Sequence, residues 1–253
     1  MYFDTHAHYD DAAFDADRAE LLAALPAAGV DCVIDPGCDV ESSRRALELS
    51  EAHAHVYAAV GFHPEEIEKF TPAALDELRH LAQHQKCVAI GEIGLDYYWD
   101  DSHKKEQAEL LDAQLRMALE LNKPVIIHDR EAHADSLAAV SKYPALRGVF
   151  HCYSGSAEMA KLLLKQGWYL GFDGPVTYKN AKKALEVLEI CPMERILVET
   201  DSPYLSPVPN RGKRNDSRNL SYIAQKIAEI KGLTAEEVAH CTAQNAKRLF
   251  NVG

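Results

Sequence analysis

Tyr2-Phe3-Asp4-Thr5-His6-Ala7-His8 opens the chain, and the reading of this stretch decides the fold. It begins as a short apolar strand and ends on two histidines. A first strand of this kind starts either a doubly wound open sheet or a (β/α)8 barrel. The open sheet usually places a glycine-rich phosphate loop at its first turn, whereas this turn carries His-Ala-His. Working outward, short runs rich in Val and Ile recur at 32–35, 56–61, 87–93, 125–128, 148–151, 169–172 and 196–199. Near-continuous apolar runs of this length read as parallel strands covered on both faces.

Helical periodicity fills the intervals. Phe14, Leu21, Leu22 and Leu25 form one stripe in the first, and Ala108, Leu111, Leu115, Ala118 and Leu119 form the stripe of the fourth. Thr71-Pro72 is an N-cap followed by proline at the first helical position. Ile223, Ile227 and Ile230 mark an amphipathic helix, and Thr234 with Glu237 forms a capping box ahead of a last helix through Leu249. No low-complexity segment or charge block divides the chain. Eight strand–helix units in 253 residues predict an α/β fold, a (β/α)8 TIM barrel with an extra C-terminal helix, as one domain over 1–253.

Bulk properties narrow the function. No run approaches 18 apolar residues, and the N-terminus lacks a basic start with an apolar core, so a membrane span and a secretory signal are not expected. A cytoplasmic monomer is the expectation. The six cysteines show no CxxC spacing and are expected to be reduced and mostly buried, with Cys32, Cys87 and Cys152 inside strands. A net charge of -12 argues against a protein that coats nucleic acid or anionic membrane. It leaves room for an enzyme that holds phosphate through metal ions and a few local cations.

Active sites of such barrels gather at the C-terminal ends of the strands. There the first run ends in His6 and His8, whose spacing of two turns both imidazoles to one face. The fourth carries Glu92, the fifth ends in His128, the sixth in His151, and the eighth leads through Glu199 to Asp201. Imidazole and carboxylate donors converging from five strand ends suit zinc, magnesium or manganese. Six protein ligands exceed what one catalytic zinc takes. They match two divalent ions about 3.5–4 Å apart sharing a carboxylate, for which Glu92 is the best candidate.

The segments Phe3-Asp4-Thr5-His6-Ala7-His8, Gly91-Glu92-Ile93-Gly94-Leu95-Asp96, His128-Asp129-Arg130, His151-Cys152-Tyr153-Ser154-Gly155 and Glu199-Thr200-Asp201-Ser202-Pro203-Tyr204 resemble the TatD family in order and along nearly the whole chain. These are metal-dependent deoxyribonucleases of the amidohydrolase-like barrel group. The resemblance implies that His6, His8, Glu92, His128, His151 and Asp201 are metal ligands. It also implies exonuclease action on DNA phosphodiester bonds. Barrel relatives bridged by a carboxylated lysine would need Lys where Glu92 stands.

Further roles follow from position. Asp201 is both a ligand and the expected general base, with Glu92 as the other catalytic group. Glu199 is expected to orient a histidine or contact a further ion. His63, ending the third strand, is expected to line the mouth and touch phosphate or a third metal. Arg130, Lys179 and the run Arg211-Gly212-Lys213-Arg214 are loop candidates for substrate phosphate, and Tyr153 and Tyr204 for base stacking. Two other readings keep the same residues: a binuclear hydrolase acting on another phosphoester, ester or amide, and a metal-binding scaffold without turnover. The carboxylate of Asp201 argues against the scaffold.

Overall fold

A computed structural model describes residues 1–99 and 102–253. All eight apolar runs form strands: β1 Tyr2–Asp4, β2 Val30–Pro36, β3 Val56–Val60, β4 Cys87–Asp96, β5 Val125–Arg130, β6 Gly148–Phe150, β7 Tyr169–Phe172 and β8 Ile196–Val198. They are parallel and pair in chain order in one sheet. The ring closes beyond the named strands, where Thr5 N–H donates to Val198 O at 3.2 Å and Ala7 bridges Ser202. The architecture is a (β/α)8 TIM barrel with an added C-terminal helix.

Around it run α1 Arg18–Ala24, α2 Val40–Ala52, α3 Pro72–Leu81, α4 Lys104–Glu120, α5 His133–Ser141, α6 Ala157–Lys165, α7 Lys182–Ile190 and α8 Leu220–Lys231, followed by α9 Ala235–Phe250. The predicted caps form: Thr71 Oγ1 accepts from Ala74 N–H, and Thr234 and Glu237 make a reciprocal capping box. Two apolar layers result from the period-two alternation of the strands. Outward residues pack against the helices. Inward residues, among them Phe3, Ile34, Ala59, Ala89, Ile126, Val149, Tyr169 and Leu197, fill the barrel together with Ala246, Leu249 and Phe250. Helix α9 thus plugs the N-terminal end of the barrel, and its Asn245 amide holds the carbonyls of Met193 and Ile196. With that end closed, the opposite mouth is left for chemistry.

Two expectations need correction. In α4 the buried residues are Gln107, Leu110, Leu111, Gln114, Leu115, Met117 and Ala118, while Ala108 and Leu119 face outward. The two glutamines are buried because their amides are fully used. Gln107 exchanges hydrogen bonds with the backbone of Asp96, and Gln114 with that of Phe62. Cys152 lies just past β6 in a left-handed turn (φ 42°), not in a strand. All six cysteines are free; Cys32, Cys87 and Cys191 are buried and the other three partly so. Among the described residues no helix is long and apolar enough to cross a membrane.

Candidate metal centre

The seam between β1 and β8 builds the first half of the site. Buried Asp4 accepts hydrogen bonds from Thr200 N–H (3.0 Å) and Thr200 Oγ1–H (2.7 Å). Asp201 N–H donates to His6 O at 2.9 Å, and His8 N–H to Ser202 O at 2.7 Å. These bonds fix His6, His8 and Asp201 against one another just past the strand ends. On the β4 side, the ladder register shifts between Ile90 and Ile93, and Glu92 N–H is bound instead by Gly37 O. Gly94 lets β4 lie tight on β5: a Cβ there would stand 1.8 Å from His128 O.

Donor atoms then fall into two groups on either side of Glu92. On one side His6 Nε2 and His8 Nε2 lie 3.1 Å apart, and Glu92 Oε2 is 3.2 and 3.5 Å from them. Asp201 Oδ1 stands 3.6 Å from both rings. On the other side Glu92 Oε1 is 2.7 Å from His151 Nε2 and 2.9 Å from His128 Nδ1, which are 3.4 Å apart. A tetrahedral zinc with ligands at about 2.0–2.1 Å separates its donors by about 3.3 Å. The donor chemistry and the spacing of both groups therefore fit a divalent ion.

His8 Nδ1 faces Pro36 O at 3.1 Å. With the proton on Nδ1, that bond leaves the Nε2 lone pair to the centre. His128 is held the same way from behind, its Nε2 lying 2.9 Å from Asp96 Oδ2. Behind His151 stands Glu199, 3.6 Å from Nδ1, fixed by the N–H of Cys152 and the hydroxyl of Thr5. Gly171 is the residue that makes room for the Glu199 carboxylate, which would meet a Cβ at 2.5 Å.

Electrostatics follow the crowding. Burial pushes the Glu92 carboxyl up, but His151, His6 and His63 outweigh it and hold the group well below its usual range. Burial lowers His128 while its bonds to Asp96 and Glu92 raise it, to a net value of about 9. His6, by contrast, is lowered by burial and by His151. Burial raises Asp201, yet its bond to His8 and the neighbouring imidazoles bring it below normal, so it is ionised at neutral pH.

Other predicted residues are placed unevenly. His63 joins the rim, with Nε2 3.6 Å from Glu92 Oε1 and Nδ1 accepting Glu65 N–H. Arg130 is the last residue of β5, not part of a loop, and its guanidinium lies over the rings of Tyr98 and Trp99. Arg211 lies over Tyr178; Lys179, Arg211 and Lys213 are exposed. Arg214 is taken up by a bidentate pair with Asp17 and by the Phe14 ring. Tyr153 is buried with its hydroxyl on Ser156 O, which removes it as a stacking candidate. Tyr204 is 54% exposed at the rim.

Sequence reasoning missed Asp96, Asp4, Cys38 and the Asp10–Asp35 pair. Cys38 has its sulfur within 4.8 Å of His8 and Glu92 donors, and Asp35 is buried beside His8 with neither oxygen hydrogen-bonded. Asp4 and Asp96 stand inside quoted motifs; Asp35 at the end of β2, and Asp10 and Cys38 beyond β1 and β2, have no pattern that singles them out.

The chain matches known proteins along its whole length. The profile described as TatD related DNase matches residues 3–251. An uncharacterized metal-dependent hydrolase, YabD of Bacillus subtilis, is 44% identical over all of both chains. The 3'-5' ssDNA/RNA exonuclease TatD of Salmonella typhimurium is 33% identical, with 99% of each chain covered. The crystal structure of YjjV, a TatD homolog from Escherichia coli, superposes with a TM-score of 0.93 at 33% identity, covering 100% of this chain and 98% of that one. An organophosphorus hydrolase from Deinococcus radiodurans, at 18% identity and a TM-score of 0.67, shares the barrel. With its barrel, its strand-end donors and these matches from end to end, the chain belongs to the TatD family of metal-dependent hydrolases.

Proposed function

We propose that this protein is a two-metal exonuclease that hydrolyses DNA phosphodiester bonds. The observation that carries the reading is the Glu92 carboxylate, whose two oxygens face two different imidazole pairs. That is the arrangement of a bridging ligand. His6, His8 and Asp201 would hold one ion, His128 and His151 the other, and Glu92 both. Two such ions, when bound, supply Lewis acidity that activates water and neutralises charge on the phosphate oxygens.

The chain's own residues do the rest. Asp201, ionised and 16% exposed at the mouth, takes the proton of the attacking water. The water oxygen bonds to phosphorus, the P–O bond to the leaving sugar oxygen breaks, and that oxygen takes up a proton from solvent, to which Asp201 returns the one it accepted. His63 beside Glu92 and Arg130 on the same strand as His128 would meet the non-bridging phosphate oxygens, with Arg211 and Lys213, exposed in the segment after β8, as further cations for the strand. Glu199 and Asp96 keep the two far imidazoles aimed. The name carried by the Salmonella relative supports attack on single strands from the 3' end.

The test is degradation of end-labelled single-stranded DNA with Mg²⁺, Mn²⁺ or Zn²⁺. The wild type is expected to shorten it from one end. At saturating metal, Asp201→Asn is expected to lose at least about 100-fold in kcat, the scale of a general base, while the ion that His128 and His151 would hold stays bound. Turnover of bis-p-nitrophenyl phosphate without cleavage of DNA under any of these ions would overturn the nuclease reading.

A further inference from the structure

Trp99 and Tyr98 are 65% and 55% exposed, on the stretch that leads out of β4 at the mouth of the barrel. Apolar groups gathered in one exposed patch, as these two neighbouring rings are, mark interaction sites where single exposed residues do not. Their root, however, is fixed. Asp96 Oδ1 accepts the N–H of Tyr98 at 2.9 Å and of Trp99 at 3.4 Å, while its other oxygen lies on His128. Gln107 clamps the Asp96 backbone from both sides, through bonds of 3.0 Å to its N–H and its carbonyl. The rings therefore hang from a rigid anchor one hydrogen bond away from the metal centre.

Their partner is a cation. The Arg130 guanidinium lies 4.1 Å from the Tyr98 centroid and 5.2 Å from that of Trp99, and the two rings meet edge to face at 4.9 Å. Arg130 stands two positions beyond His128 on β5, so both side chains leave the strand on the same face. Arg130 thus shares with His128 the face of β5 that carries the centre, while its guanidinium backs the Tyr98 ring and leaves Trp99 the more exposed of the two. In a chain of net charge -12, a cation backed by exposed aromatic rings suits a ligand that is itself a phosphate attached to a flat ring.

We infer that Tyr98, Trp99 and Arg130 form a stacking subsite for an unpaired nucleobase next to the scissile phosphate. The inference rests on the nuclease reading and deepens it. A base can lie on Trp99 only when its face is free, so the subsite selects single strands and ends over duplex. It is indifferent to base identity, because every base has a π face.

Trp99 provides its own reporter. The chain has two tryptophans, and the other, Trp168, is buried against Phe150. Metal-loaded enzyme is titrated with a phosphorothioate-linked thymidine hexamer, and with a hexamer of the same backbone carrying abasic sites. The thymidine hexamer is expected to quench tryptophan emission saturably and the abasic one to leave it unchanged. Trp99→Leu is expected to weaken binding of the thymidine hexamer by about tenfold and of the abasic hexamer by less than about twofold. Trp99→Phe, which keeps a ring, should restore most of the loss. An equal loss on both hexamers, or no quenching by thymidine, overturns the subsite even if DNA is cleaved. A wild type that neither binds the hexamers nor cleaves DNA overturns the nuclease reading as well.

Discussion

Asp96 shows how much one side chain can do from behind a candidate ligand, His128. One oxygen steers the His128 ring toward Glu92, and the other anchors the loop of Tyr98 and Trp99. Its own carboxyl is raised by burial but lowered more by His128 and the two backbone N–H groups, to about 2. It is therefore a charged partner that stiffens the imidazole and raises its basicity. Asp96→Asn keeps the shape and removes the charge. The expected result is a loss of about 10- to 100-fold in ion affinity, as for other groups that support a metal-binding histidine. Competition with a chromophoric chelator measures this directly. An affinity within twofold of wild type would show that His128 is oriented without Asp96. The role was not legible in the sequence: Asp96 stands within a quoted motif, but its partner is 32 residues away, and only the β4–β5 ladder brings them together.

At the scale of elements, β5 and α5 are joined by Asp129, which binds His133 Nδ1 at 2.9 Å and Ser136 Oγ–H at 3.1 Å. The bond to Asp129 raises the His133 imidazole above its ordinary value of 6.5. A histidine raised in the folded state stabilises fully below pH 6.5, and the contribution fades as pH rises through the folded value. The side chain is about one-third exposed, so the effect is below about 1 kcal/mol. In urea unfolding with chelator present, His133→Ala is expected to destabilise more at pH 5.5 than at pH 9. A difference that is equal at both, or larger at pH 9, would contradict the pairing. Elements were the most legible level. Every strand follows its apolar run, because burial on both faces leaves no polar alternation to misread. The stripe of α4 was misjudged for a physical reason. Gln107 and Gln114 look like solvent residues until their amides are seen to satisfy the backbone of β4 and of the turn after β3.

For the whole molecule, the barrel divides its work between two ends. Helix α9 fills one with Leu249 and Phe250, and the other gathers polar groups that no soluble core would otherwise tolerate. Buried His6, Glu92 and His151 are costly to keep without a compensating charge. Two shared ions would supply it; that these side chains converge was legible because a (β/α)8 barrel sends all strand ends to one mouth. What strand ends could not reveal is which donors face which. That needs the Glu92 carboxylate set between the pairs. The most direct test is anomalous diffraction from crystals grown with Mn²⁺ or Zn²⁺. The account predicts two peaks per chain about 3.5–4 Å apart, one against His6, His8 and Asp201, the other against His128 and His151, with Glu92 between them. A single peak, or two with no shared contact to Glu92, would contradict it.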